Sequence, residues 1–173
     1  MVKKKSAAAA AARKSAIKKL YKQPRPSWHK KLLPYFDEGW YPYPSCQDGW
    51  KKIIFDAVVK IDKLNVPWSI GQIKEKFGTL RFYADIDMMS ELWRQKVSKP
   101  GYKLTKYDKK MFNFYQMSSE ERIKIGGQFH DILREAEHKS EVTCEDCGKS
   151  GKMRNMSWVR TLCDKCYKRH MYG

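Results

Sequence analysis

No run of about 18 consecutive apolar residues occurs anywhere in the chain, which excludes an ordinary transmembrane helix. No apolar segment follows the N-terminal lysines, which argues against a secretory signal. The same stretch is biased to lysine and holds a single leucine, Leu20, a poor composition for an organellar transit peptide. There is no P-loop, no G-x-G-x-x-G and no Ser/His/Asp set, so the common phosphate-cradling and acyl-transfer signatures are missing. The four histidines, His29, His130, His138 and His170, include no His-His pair of the kind a His-Asn-His nuclease requires. No internal repeat is visible. Acidic residues are absent from positions 1–31.

That last absence shapes the charge. The chain has 173 residues, 36 Lys+Arg and 19 Asp+Glu, for a formal net charge of +17. Residues 1–31 hold 11 of the cations, and residues 32–173 hold 25 cations with all 19 acids. The N-terminal stretch therefore reads as a separate basic arm. It runs through Lys3-Lys4-Lys5, six alanines from Ala7 to Ala12, Arg13, Lys14, Lys18, Lys19 and Lys22 to Pro24-Arg25-Pro26. Alanine favours helix, but a helix of this length is marginal alone, and like charges oppose it. The expectation is a flexible arm, over residues 1–31, that orders on a polyanion. Such arms serve nucleic-acid binding, with Arg13, Lys14, Lys18 and Lys19 as phosphate contacts; a solubilising tail is the competing reading.

Residues 32–141 read as an α+β body. The segment 34–50 is dense in aromatic, Pro and Gly residues and is expected to pack irregularly on the core. Trp50, Ile53, Ile54, Ala57, Val58, Ile61 and Leu64 recur at helical spacing, and Asn65 and Pro67 end that helix. Two strands follow around Gly78, with Leu80, Phe82 and Ala84 facing inward and Arg81 and Tyr83 outward. A helix is expected from Ile86 or Asp87 to Val97, stopped by Pro100-Gly101. Residues 98–110 read as a Lys-rich loop before a short helix over 107–117, giving a Lys-rich insertion near 97–117. Ser118 and Glu121 form a capping-box pattern for a helix carrying Ile125, Phe129, Ile132, Leu133 and Ala136. Gly126-Gly127 inside that helix predicts either a kink or a close packing partner.

Four of the five cysteines lie near the C-terminus as Cys144-x-x-Cys147 and Cys163-x-x-Cys166, 15 residues apart. Each pair points two sulfurs at one ion, and the intervening length suits a short hairpin. The spacing predicts a structural Zn²⁺ site in a ribbon over 142–173. Two disulfides would need an oxidising compartment, and the sequence carries no export signal, so a cytoplasmic setting is expected. Four thiolates leave no open position for water, so metal catalysis at this site is disfavoured. Gly148 follows the first pair, where positive φ is often needed. His170 is a lesser candidate ligand, and Cys46 is expected to be a buried free thiol. Around the ribbon, Arg154 and Arg160 are candidate phosphate contacts and Trp158 a candidate base-stacking residue.

The run Ile73 to Tyr83 (IKEKFGTLRFY), Thr143 to Gly148 (TCEDCG) and Trp158 to Cys166 (WVRTLCDKC) resembles a family of small uncharacterised zinc proteins of bacteria, phages and prophages. A Gly-Trp-Tyr-Pro entry, Gly39–Pro42 here, also precedes the first helix in that family. The resemblance covers residues 39–96 and 128–166 and implies an α+β zinc protein in a bacterial or phage-infected cell, without an assigned activity. The basic arm and the Lys-rich insertion depart from the family pattern. The expected function is non-enzymatic binding of DNA or RNA. One alternative is docking to an acidic protein partner, such as a ribosomal, polymerase or virion component. Another is an Mg²⁺-dependent nuclease built on Gln72, Lys74 and Asp62, with Asp85 and Asp87 as candidate Mg²⁺ ligands.

Overall fold

The computed structural model describes residues 26–36, 42–87 and 90–172. The fold is α+β: helices pack on a two-stranded antiparallel hairpin, and the four cysteines gather near the C-terminus. Helix α1 spans Ser27–Leu32, and a short 3-10 turn over Asp48–Trp50 leads into α2, Lys51–Lys63. Strands β1, Trp68–Lys76, and β2, Thr79–Ile86, form the hairpin. Helices α3, Glu91–Val97, and α4, Lys106–Gln116, follow, and then the long α5, Ser119–Glu141. A second small hairpin, β3 (Lys152–Arg154) and β4 (Arg160–Leu162), and α6, Asp164–Tyr172, complete the chain.

The core is built where the apolar periodicities meet. Ile53, Ile54, Ala57, Val58 and Ile61 of α2 pack with Ile70, Ile73, Leu80, Phe82 and Ala84 of the hairpin. Phe129, Leu133 and Ala136 of α5 close that cluster. Asn65 adopts φ 54° just past α2, a left-handed residue that ends the helix before Pro67. The outer edge of β2 is covered rather than left open. Ser140 Oγ accepts from Leu80 N at 2.8 Å and Glu137 Oε1 from Phe82 N at 3.2 Å, both from α5. Buried strand N–H groups require such partners. The opposite edge, on β1, is met by Ser45, whose N–H and C=O bond Ile73 O (2.8 Å) and Glu75 N (3.0 Å).

Several boundaries differ from the sequence expectation. Folded structure starts earlier than the charge break at residue 31, because α1 buries Trp28 and Leu32 in the core. Arg13, Lys14, Lys18 and Lys19 lie outside the described residues, as do Gly39 to Tyr41 and Met88. Ile86 belongs to β2, paired with Trp68, and Asp87 N donates to Pro67 O at 2.9 Å. The next helix therefore begins at Glu91, where Ser90 Oγ accepts from Trp93 N. The short helix expected over 107–117 forms as α4, Lys106–Gln116, and the Lys-rich loop ends at 105 rather than 110 because Thr105 and Asp108 form a capping box. The Ser118/Glu121 capping box forms as expected. Gly126 and Gly127 lie within α5, and a Cβ at either would meet nothing within 4 Å, so no close partner explains them. Among the described residues no helix is long and apolar enough to cross a membrane.

Candidate metal centre

The cysteines are delivered by two backbone knuckles. The first follows α5 directly. Cys144 N donates to Lys149 O (2.7 Å), and Gly148 N donates to Cys144 O (2.9 Å). Gly148 takes φ 74°, so the chain folds back over its own sulfurs. The second knuckle joins β4 to α6, where Cys166 N points at Cys163 Sγ at 3.4 Å and Tyr167 N donates to Cys163 O. The β3–β4 hairpin, with Met153 opposite Thr161, brings the two knuckles together.

All four sulfurs lie within 4.8 Å of one another. Cys147 Sγ and Cys163 Sγ are 3.7 Å apart, and all five cysteines of the chain are free thiols. A tetrahedral ion with metal–sulfur bonds of about 2.3 Å places its ligands about 3.8 Å apart, so this donor set fits a four-thiolate ion. Cys144 and Cys166 are buried, Cys163 is half-buried and Cys147 is exposed. Burial pushes the Cys166 thiol up to about 12, and the Cys166 backbone N–H holds Cys163 down to about 7.

Charged residues inside the knuckles organise their surroundings. Glu145 and Asp146, between the first two cysteines, both pair with Arg160 of β4, at 3.1 and 2.9 Å. Asp146 also meets Arg169 (2.8 Å) and His170 (2.7 Å) of α6. Asp164, between the second pair, binds Arg154, whose guanidinium also lies 4.6 Å from the Tyr167 ring centroid. His170 thus bonds a carboxylate and stands outside the sulfur cluster. Arg154 and Arg160, expected as phosphate contacts, are 13% and 15% exposed and are engaged by acids of the ribbon. Trp158 is 58% exposed, and its indole N–H donates to Glu75 at 2.8 Å. Trp158 and Arg160 line one open cavity together with Glu75 and Glu145, and Arg154 lies outside it.

The ribbon is anchored to the body by contacts that the sequence did not announce. Gly49 N donates to Glu145 O at 2.7 Å, and the buried Trp50 indole donates to Thr143 O at 2.8 Å. Buried Thr161 Oγ1 donates to Gly78 O at the tip of the β1–β2 hairpin at 2.7 Å. A Cβ on Gly49 would stand 2.2 Å from Cys144 O and 2.3 Å from Glu145 O, so the knuckle backbone occupies the space of a side chain. The only sequence signal was the Gly-Trp dipeptide before α2.

The remaining candidates are dispersed. Asp62 accepts from Tyr35 OH (2.6 Å) and Trp68 Nε1 (3.1 Å) at the start of β1. Lys74 lies six residues further along that strand, roughly 20 Å away, with its Nζ 5.3 Å from the Tyr83 ring centroid. Asp62, Gln72 and Lys74 therefore do not form one site. Asp87 accepts from Ser69 (2.5 Å) and Tyr107 (2.6 Å), and Asp85 pairs in the ladder with Ser69. Cys46 is a half-buried free thiol, pushed up to about 12 by burial and by the carboxylates of Glu145, Asp48 and Glu75. No family model matches the chain, and comparison with curated proteins and with solved structures finds no match.

Proposed function

We propose that the protein binds nucleic acid through its cations and that the four thiolates hold Zn²⁺ as a structural ion. The observation that carries this reading is the separation of charge: an acid-free stretch of 31 residues with 11 cations precedes a body in which acids nearly balance bases. A polyanion is the partner that such a stretch suits. Arg13, Lys14, Lys18 and Lys19 supply phosphate contacts from the arm. On the ribbon that role passes to Lys149, Lys152, Lys165 and Lys168, which make no ion pair among the described residues, while Arg154 and Arg160 brace the knuckles. Zinc, with four sulfur ligands, fixes the ribbon and takes no part in chemistry. The resemblance to small phage and prophage zinc proteins is consistent with a cytoplasmic protein, where thiols stay reduced.

The test is fluorescence anisotropy of labelled DNA and RNA across a salt series. For duplex DNA the log–log slope is about −0.9 per phosphate neutralised. Replacing Arg13, Lys14, Lys18 and Lys19 by Gln in the full chain is expected to make the slope shallower by about 3 to 4. No binding at low salt, or a slope that ignores those four residues, overturns the reading. Binding instead to an acidic protein, resistant to nuclease and to salt, establishes the alternative.

A further inference from the structure

The body's positive charge is confined to one unit. Residues 91–117 hold Arg94, Lys96, Lys99, Lys103, Lys106 and Lys109, with Lys110 as a seventh cation, against two acids, Glu91 and Asp108. The rest of the body, residues 32–90 and 118–141, holds 11 cations and 14 acids and is net negative. The α3–α4 unit, which includes the Lys-rich insertion near 97–117, thus differs in sign from the scaffold that carries it.

The structure shows how the acids of this unit are used. Asp108 is 1% exposed. Its carboxylate accepts from Trp93 Nε1 (2.8 Å), Tyr102 OH (2.9 Å), Thr105 N (2.8 Å) and Thr105 Oγ1 (2.6 Å). One buried acid therefore ties α3, the connecting loop and α4 together, with Met111 and Phe114 buried beneath. Glu91 sits in the first turn of α3 and accepts from Gln95. Lys110 reaches Asp62 of α2 at 3.6 Å. The other six cations are exposed and make no ion pair among the described residues.

The contrast with the rest of the body is one of degree. There, five of eleven cations are paired, Lys52 with Asp56, Lys60 and Lys139 with Glu135, Arg81 with Glu137, and Arg134 with Asp131, whereas on residues 91–117 only Lys110 of seven is. Unpaired like charges on adjacent helical turns are destabilising, and the fourteen acids elsewhere on the body offset its cations in number. The insertion keeps its cations unrelieved on a unit folded around an internal acid.

We infer that the α3–α4 insertion is a further phosphate-binding surface, beside the arm and the ribbon lysines, which contacts the backbone of the same nucleic acid. This rests on the proposed function. Five of the six exposed cations are lysines, point charges that bind phosphate without reading bases. The contact is accordingly independent of sequence, and it holds the nucleic acid against the body.

The test uses the full chain with Lys96, Lys99, Lys103, Lys106 and Lys109 replaced by Gln, alone and combined with the four arm substitutions. The probe is a short labelled duplex DNA, compared in two unrelated sequences. At about 0.9 per contact, loss of three contacts makes the salt slope shallower by about 3 beyond the arm substitutions and weakens binding to both sequences alike. Circular dichroism and melting temperature are expected to stay as in the parent, since all five side chains are exposed. If the parent binds and the five substitutions leave its slope unchanged, the inference fails and the proposed function stands. If neutralising Lys149, Lys152, Lys165 and Lys168 removes all of the slope that the arm substitutions leave, no contact remains for the insertion and the inference fails. If the parent binds no DNA at low salt, both fall together.

Discussion

Gly49→Ala tests how the ribbon is held to the body. The added methyl would lie 2.2 Å from Cys144 O, 2.3 Å from Glu145 O and 2.6 Å from the Glu145 carbonyl carbon. These are backbone atoms of the first knuckle, so no side chain can rotate away. The knuckle has to move off the Asp48–Trp50 turn, which breaks the Gly49 N–Glu145 O bond and strains the Trp50–Thr143 bond. Overpacking costs about 1–3 kcal/mol, and a lost hydrogen bond adds about 0.5–1.5 kcal/mol. A loss of about 2–4 kcal/mol is expected, which is a large share of a typical domain's stability of 5–15 kcal/mol. Urea unfolding of the zinc-loaded chain measures it, with Gly126→Ala and Gly127→Ala as controls. A methyl at either control meets nothing within 4 Å, and Ala replaces Gly inside a helix, so each is expected to gain about 0.5–1 kcal/mol. A Gly49→Ala protein within about 0.5 kcal/mol of the parent would refute the docking geometry, since that is the usual range of a surface substitution that meets nothing.

Phe77 and Gly78 form the two-residue tip of the β1–β2 hairpin with φ 55° and 77°. A turn with both residues left-handed favours Asn-Gly, and the Phe77 ring is 61% exposed. Phe77→Asn is therefore expected to stabilise by about 0.5–1 kcal/mol in urea, and a loss would show that the ring packs. Burial opposes ionisation of Asp108, but its bonds from Thr105, Trp93 and Tyr102 outweigh that and hold the carboxyl down to about 2. Its folded pKa is below the unfolded value of about 3.9, so its contribution is present above pH ~4 and is lost as pH falls toward ~2. Asp108→Asn is expected to cost about 2–3 kcal/mol at neutral pH, with the gap to the parent closing over that acid window. Chelation of the proposed Zn²⁺ is expected to expose four fast-reacting thiols while Cys46 stays slow. A chromogenic disulfide counts them, and four fast thiols before chelation would rule out bound zinc.

The parts of the fold that were legible in the sequence are those set by near neighbours. Helix α2 follows from its apolar spacing, the β1–β2 hairpin from alternation around Gly78, and the start of α5 from Ser118 and Glu121. The four-cysteine cluster follows from paired cysteine spacing, which constrains geometry within each knuckle. Helix α4 was legible too, to within one residue, and Thr105 and Asp108 are the local signal that fixes its start. What stayed hidden depends on contacts distant along the chain. Trp50 bonds a carbonyl 93 residues away and Thr161 one 83 residues away. No local pattern encodes those distances. Helix α1 was hidden for a related reason, since its lysines resemble the arm and only Trp28 and Leu32, buried against distant elements, reveal it.

The division of labour between arginine and lysine follows the same distinction. Glu145, Asp146 and Asp164 stand inside the two C-x-x-C knuckles, and each meets an arginine from outside its own knuckle. Arginine's planar fork can hold two carboxylates at once, as Arg160 does with Glu145 and Asp146. Lysine offers a compact, strongly hydrated charge, and the ribbon leaves Lys149, Lys152, Lys165 and Lys168 without ion-pair partners among the described residues. The sequence put Arg154 and Arg160 forward as phosphate contacts, yet they are the cations whose loss should first disturb the knuckles. Salt dependence and stability therefore separate by residue type on this surface. Lysine substitutions should alter the salt slope with the ribbon intact, because the charge they remove faces solvent. Arginine substitutions should release acids beside the sulfur ligands, because the charge they remove is already neutralised within the fold.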